Sequence, residues 1–269
     1  MKNPALFFSS AELITQFGDE TDRLYIERTF EVKKLKEIGT NATIYDPKIK
    51  LYFEDKSALR YLFEIDLKEI DVTTSEYLSK SADYLRRIQY RYDWIQPTLK
   101  ENGKISSVEN NKDLKITWER LKDKIRDTYK DNKIEEHFSE IDLEFDKEEA
   151  ILPALYQYTH FGLLFPHIPQ SHSEKWEQRR DIELSEYEKE KFTEKTDFVQ
   201  LDGEGTRVYR ITGEAKPDCQ FTMNRYKGVV KIPQNELFPV HTEVAVEFQK
   251  EDIINKWYFK LIQYTQEWE

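Results

Sequence analysis

Val240, Thr242, Val244, Val246 and Phe248 alternate with His241, Glu243 and Glu247. This period of two describes a strand with one buried face and one wet face, and such strands belong to antiparallel sheets covered on one side. Further strand signals lie at residues 198–201, 207–212, 220–226, 229–232 and 254–264. At the other end of the chain, residues 24–30 and 61–70 read as strands, the latter with Phe63, Ile65 and Leu67 opposite Glu64, Asp66 and Lys68. Asp46-Pro47 reads as a turn that divides two shorter strands, 43–45 and 49–53.

Between these ends the period changes. Leu78, Ala82, Leu85, Ile88 and Tyr92 recur every three or four residues, the stripe of a helix that must stop before Pro97. Glu101-Asn102-Gly103-Lys104 then marks a hairpin turn. Leu114, Trp118, Leu121, Ile125 and Tyr129, followed by Ile134, Phe138, Ile141 and Phe145, predict two helices joined near Asp131-Asn132. Asp146 and Glu149 resemble a capping box for a third helix through Phe165, kinked or delayed by Pro153 and ended by Pro166 and Pro169. Residues 166–194 are polar, with Trp176, Tyr187 and Phe192 as large apolar anchors, and read equally as a long loop or an exposed helix. The expected fold is α+β: an antiparallel sheet of N-terminal and C-terminal strands with a central layer of about three or four helices. One domain over residues 1–269 is expected, the alternative being units 1–165 and 197–269 connected by 166–196.

Composition narrows the function. Charged residues make up 35% of the chain, but aromatics reach 14%, so the charge marks a solvated surface rather than disorder. Cys219 is the sole cysteine, which excludes an intramolecular disulfide and a cysteine-rich zinc site. No apolar run approaches the ~18 residues of a membrane helix, and the start lacks the ~7–15-residue apolar core of a signal peptide; a soluble, cytoplasmic protein is expected. A net charge of -11 disfavours general nucleic-acid binding.

His160, His167 and His172 are candidate metal ligands, with Glu174 near enough to add a carboxylate. Their spacing across two prolines fits no metal motif, so surface or capping histidines are the stronger reading. Arg86, Arg87 and Arg91 interleave with Tyr84, Tyr90, Tyr92 and Trp94, a mixture able to stack on bases but better explained by pairing with acids such as Asp83. Asp202-Gly203-Glu204-Gly205 reads as a hairpin turn rather than a calcium or phosphate loop. Cys219 at a strand start reads as a small semi-buried residue.

The stretch from Leu99-Lys100-Glu101-Asn102-Gly103-Lys104-Ile105 to Asn110, then Trp118-Glu119-Arg120-Leu121-Lys122 and Tyr129, with Phe161-Gly162-Leu163-Leu164-Phe165 and a carboxy-terminal strand meander, resembles a group of bacterial proteins associated with type VI secretion components and their toxin cargo. The likeness runs from Trp94 onward. It implies no catalytic residue and no cofactor, and it implies a protein partner.

The leading expectation is therefore a non-enzymatic protein-binding protein: an adaptor, chaperone or immunity protein for a secreted toxin, its acidic surface suited to a basic partner. Trp176, Arg179, Arg180, Tyr187 and Trp257 are the candidate anchors, being residue types enriched in binding hot spots. Two alternatives stay open. One is a metal-assisted hydrolase using His160, His167 and His172; the other is a carrier of an apolar ligand lined by Val240, Val244, Val246 and Phe248.

Overall fold

The computed structural model describes residues 15–17, 24–38, 41–57, 60–74, 79–100, 103–130, 132–147, 149–158, 160–169, 173–183, 191–217, 219–234, 236–251 and 253–263; before Asp83, and at Leu85, Glu183 and Ile253, it describes the backbone alone. The chain runs β1 Thr15–Phe17, β2 Leu24–Ile38, β3 Asn41–Ser57, β4 Arg60–Thr74, α1 Ser79–Gln89, β5 Pro97–Lys100, β6 Ile105–Val108, α2 Asn111–Thr128, α3 Asn132–Asp142, α4 Leu152–Leu155, β7 Glu177–Glu183, β8 Lys191–Leu201, β9 Thr206–Ala215, β10 Thr222–Pro233, β11 His241–Lys250 and β12 Ile253–Gln263.

The fold is α+β, as the alternating ends and helical middle predict. Among the described residues the strands form a 12-stranded antiparallel sheet in the order β6-β5-β4-β3-β2-β12-β11-β10-β9-β8-β7, with β1 also on β2. The N-terminal and C-terminal meanders join where β2 pairs β12, from Ile38 opposite Asn255 to Phe30 opposite Gln263. On β11, Thr242, Val244, Val246 and Phe248 are buried while the residues between them are half-exposed. The stripes of the helices belong to the same core: Ile88 and Tyr92, then Leu114, Trp118 and Ile125, then Phe138 and Ile141.

Four expectations about elements need correction. Asp46-Pro47 does not end a strand; β3 runs through it, and the pairing with β4 slips between Pro47 and Ile49, a bulge being where a strand tolerates a residue without an N–H. The strands expected at 220–226 and 229–232 are one strand, β10, continuous through Gly228. A Cβ there would lie 2.6 Å from the Glu243 carbonyl oxygen, so the glycine permits close strand approach. The third helix shrinks to α4, with Pro153 in its first turn; the chain then closes tight turns from Phe161 N–H to Leu155 O (3.2 Å) and Gly162 N–H to Gln157 O (3.0 Å). The polar stretch 166–194 is neither a loop throughout nor a helix, for it contains β7 and the start of β8.

Residues 160–168 form a fully buried irregular strap between helices and sheet. A buried segment without regular structure needs partners for its carbonyls, and the sheet supplies them. Thr242 Oγ1 donates to Leu163 O (3.1 Å) and Arg180 Nη1 to Phe165 O (3.4 Å), and just past the strap Arg207 Nη1 donates to Pro169 O (2.9 Å). The strap also receives the β5–β6 turn: Gly103 has φ 74°, and a Cβ on it would sit 2.7 Å from Ile168 O.

Gly213 has a different role. It pairs with Glu194 across β8 and β9, and a Cβ on it would lie 2.5 Å from Cδ2 of Tyr226 on the next strand. The tyrosine ring thus lies over the glycine and reaches the strand beyond. Gly213→Ala should displace that ring and cost about 2 kcal/mol, in the range of overpacked cores, which a shift in the urea unfolding midpoint at unchanged m-value would show.

Candidate functional site at the seam of the sheet

Tyr226 reaches a buried carboxylate. Glu194 on β8 is 0% exposed. Its Oε1 accepts from Arg180 Nε (2.8 Å), and its Oε2 accepts from the hydroxyls of Tyr226 (2.9 Å) and Tyr158. Tyr158 in turn accepts from Arg180 Nη2 (3.1 Å). Burial pushes both tyrosines well above the ordinary phenol range, and the Glu194 charge pushes them further. For Arg180, burial opposes the charge, but Glu194 and Tyr158 outweigh it and raise its pKa. Three donors, from β7, β10 and the turn after α4, therefore converge on the one carboxylate.

Beside this cluster lies an open cleft of about 550 Å³. Leu152, Pro153, Tyr156 and Ile182 give it apolar walls, and Glu149, Asp181, Lys191 and Lys216 are also among its lining. Lys216 is neutralised by Asp181 at 2.5 Å. The cleft marks a seam between the two ends of the sheet. On one side, the Tyr156 hydroxyl accepts from Ile105 N–H of β6 (2.6 Å) and donates to Ile105 O (3.2 Å). On the other side stand Asp181 and Ile182 of β7.

His167 also lines the cleft. It adopts φ 62°, its ring packs edge-on against Tyr156 with centroids 3.6 Å apart, and its Nε2 is buried without a hydrogen-bond partner. Burial, helped by the charges of Arg180 and Lys104, lowers its pKa to about 3, so the imidazole is neutral.

His160 and His167 are buried rather than surface or capping residues, and each has its own neighbours. His160 is buried, its Nε2 receiving Arg91 Nη2 at 3.0 Å and its Nδ1 facing Gln89 Oε1 at 3.3 Å. Because the guanidinium only donates, Nε2 must accept and is closed to a metal. His172 lies outside the described residues. Among the described residues no group of three or more His, Cys, Asp or Glu is placed to hold a metal ion. The apolar-carrier lining is likewise occupied: Val244, Val246 and Phe248 are core residues, Phe248 packing on Phe221 (4.8 Å) and Phe192 (5.8 Å).

The expected anchors separate. Arg179 is exposed, whereas Arg180, one residue on and therefore on the opposite face, is buried in its ion pair. Trp257 is core, beside Phe259. Trp176 is half-buried with its ring on Tyr209 at 5.7 Å, and Tyr187 lies outside the described residues. Arg180 and Trp257 are therefore not surface anchors. Arg86 and Arg87 pair with Asp83 at 2.6 and 2.9 Å. Asp202 Oδ1 accepts from Glu204 and Thr206 N–H, as in a hairpin turn. Cys219 is half-buried, its Sγ near Lys191 O.

Glu194 carries a sequence signal that is visible once its strand is known: it stands in step with Phe192 and Thr196 on the buried face. A second feature is the acidic segment 133–149, with eight acids and two lysines. Inside it Asp142 accepts from Trp118 Nε1 and Lys122 Nζ, both at 2.7 Å, and Glu144 accepts from Arg91 and Tyr92. Between these two tethered acids Leu143 is 63% exposed.

No family model matches the chain, and no curated protein matches it. Among solved structures, one titled "Lipid-protein interactions in lipovitellin" is similar over 92% of this chain at 9% identity, with a TM-score of 0.42. This chain spans 26% of that one, and the likeness is too loose to transfer a ligand.

Glu194→Gln leaves Arg180 buried without its counter-charge and should cost about 3–5 kcal/mol in chemical unfolding, against about 1–2 kcal/mol for Tyr226→Phe. The second expectation concerns pH. The unfolded imidazole of His167 titrates near 6.5, while the folded one stays neutral down to about 3. Between these values the unfolded state binds more protons, so stability falls as pH falls, by up to ~1.4 kcal/mol per unit. His167→Asn, which tolerates the positive φ, should flatten the fall in unfolding free energy between pH 6.5 and 4.5; an unchanged slope would show that the imidazole is not its source.

Proposed function

We propose that this chain is a non-enzymatic binding protein that holds a basic segment of a protein partner at the seam cleft, as a cytoplasmic adaptor, chaperone or immunity protein for a secreted bacterial toxin. The observation that carries the reading is the acidic segment 133–149, which exposes Leu143 and ends at Glu149 in the cleft lining. Carboxylates steer a cationic partner and set its orientation, while Leu143 and the apolar walls offer the contact area that charge alone does not supply. A lysine or arginine fits such a slot, its aliphatic stem against Leu152, Pro153 and Tyr156 and its head toward carboxylate. The likeness to proteins associated with toxin cargo supports the biological role. No helix of the described residues is long and apolar enough to cross a membrane.

The test is affinity capture from the source cells with the unaltered chain and with a Glu136→Lys/Glu140→Lys/Leu143→Ala variant, followed by native mass spectrometry. A stoichiometric basic protein that binds the variant at least tenfold more weakly, about 1.4 kcal/mol, supports the reading. Equal capture by both chains overturns the acidic surface as the docking site.

A further inference from the structure

Asp181 and Ile182 are consecutive residues of β7, and their side chains lie on opposite faces of the sheet. The cleft touches both, so it passes round the outer edge of the strand. That edge is the end of the sheet: β7 pairs β8 through all its residues, from Glu177 opposite Asp197 to Glu183 opposite Lys191, and no described strand lies beyond it. Alternate residues of an edge strand turn their N–H and C=O outward, and among the described residues none of these outward groups on Glu177–Glu183 is hydrogen-bonded. The opposite end of the sheet is treated differently, since Tyr156 occupies both main-chain groups of Ile105 on β6.

We propose that the seam binds its partner by strand addition: an extended basic segment pairs its main chain with the outer edge of β7 and turns alternate side chains into the apolar cleft and toward solvent. This rests on the proposed partner-binding function and specifies its mode. A strand is stiff enough to receive another only if it is itself fixed, and β7 is fixed from beneath by the Arg180–Glu194 pair at 2.8 Å and by Arg180 Nη1 on the strap. The period of two in an added strand suits the site's two sides. Leu152, Pro153 and Tyr156 meet every second residue; of the lining cations Lys216 is already paired with Asp181, and Glu149 with the neighbouring acidic segment favours cations in the partner at the end away from Lys191.

The experiment uses the full chain and four blocked five-residue peptides. One alternates valine and arginine; two are identical but N-methylated at every second amide, one in each register; the fourth alternates valine and glutamate. Isothermal titration calorimetry should show the first binding with a Kd of ~100 µM, one N-methylated register at least tenfold weaker, and the acidic peptide weaker than the first. Hydrogen exchange should show new protection at alternate amides of Glu177–Glu183 and unchanged protection in β8. Binding that neither N-methylation pattern weakens, or protection that leaves β7 untouched, overturns strand addition while leaving a side-chain-only mode of the proposed function standing. Absence of binding by the valine–arginine peptide at millimolar concentration also overturns strand addition, whereas loss of capture in the Glu136, Glu140 and Leu143 variant bears on the proposed function alone.

Discussion

The rest of the sheet's free end depends on one buried carboxylate. Glu194 receives Arg180 from β7, Tyr226 from β10 and Tyr158 from the turn after α4. An ion pair away from water has a desolvation cost that its mutual attraction offsets only when further hydrogen bonds complete the geometry. Here they do, because Gly213 leaves room for the Tyr226 ring to cross its strand. One missing side chain on β9 therefore decides whether a charge on β8 is satisfied by a donor on β10. Such a network contributes more to the uniqueness of the arrangement than to raw stability, fixing which strand edge faces which part of the strap.

The strap carries that order to the helices. Its nine buried residues, 160–168, could not stay irregular in an apolar interior without donors for their carbonyls, and the donors are side chains from the sheet, Arg180 and Thr242, with Arg207 just past the strap. Arg207 spans farthest, its Nη2 also donating to Glu236 O at 2.8 Å. On the helical side, Arg91 bonds His160 at the start of the strap and Glu144 in the turn that follows α3. Arginines thus bridge irregular backbone to regular structure at both faces of the strap, a use suited to a planar group with five donors.

Much of the fold was legible in the sequence because one face of most elements is buried. The alternation on β11 and the stripes of α2 and α3 each have a single apolar side, so their periods survive inspection. The Asn102-Gly103 turn was equally plain, and Gly103 takes the positive φ it signals. β7 was not legible: in Glu177-Gln178-Arg179-Arg180-Asp181-Ile182 the inward positions hold Gln178 and Arg180, so polarity marks both faces. Its period was hidden because an inward charge sits where an apolar residue would have announced the strand. The burial of the histidines was hidden for a related reason. His160 and His167 are close in sequence and rich in metal-binding chemistry, but the strap gives each a separate purpose, one to receive Arg91 and the other to close a wall against Tyr156.

The same inward charge bears on the chemistry of the free edge. A long apolar edge strand would recruit any extended chain, and an inward-facing arginine is a device that discourages this, because an incoming strand must not bury the charge unpaired. Arg180 is already paired with Glu194 and tied to Tyr158 and Phe165 O, so it imposes no such cost here. What remains at the edge is a main chain held rigid from within and flanked on its outer face by Arg179 and Asp181. Those exposed charges oppose non-specific pairing, while the proposed segment would set apolar residues on the cleft side and cations near Glu149. In the proposed strand addition, selectivity follows from side-chain pattern, and affinity from backbone geometry that the Arg180–Glu194 pair holds in place.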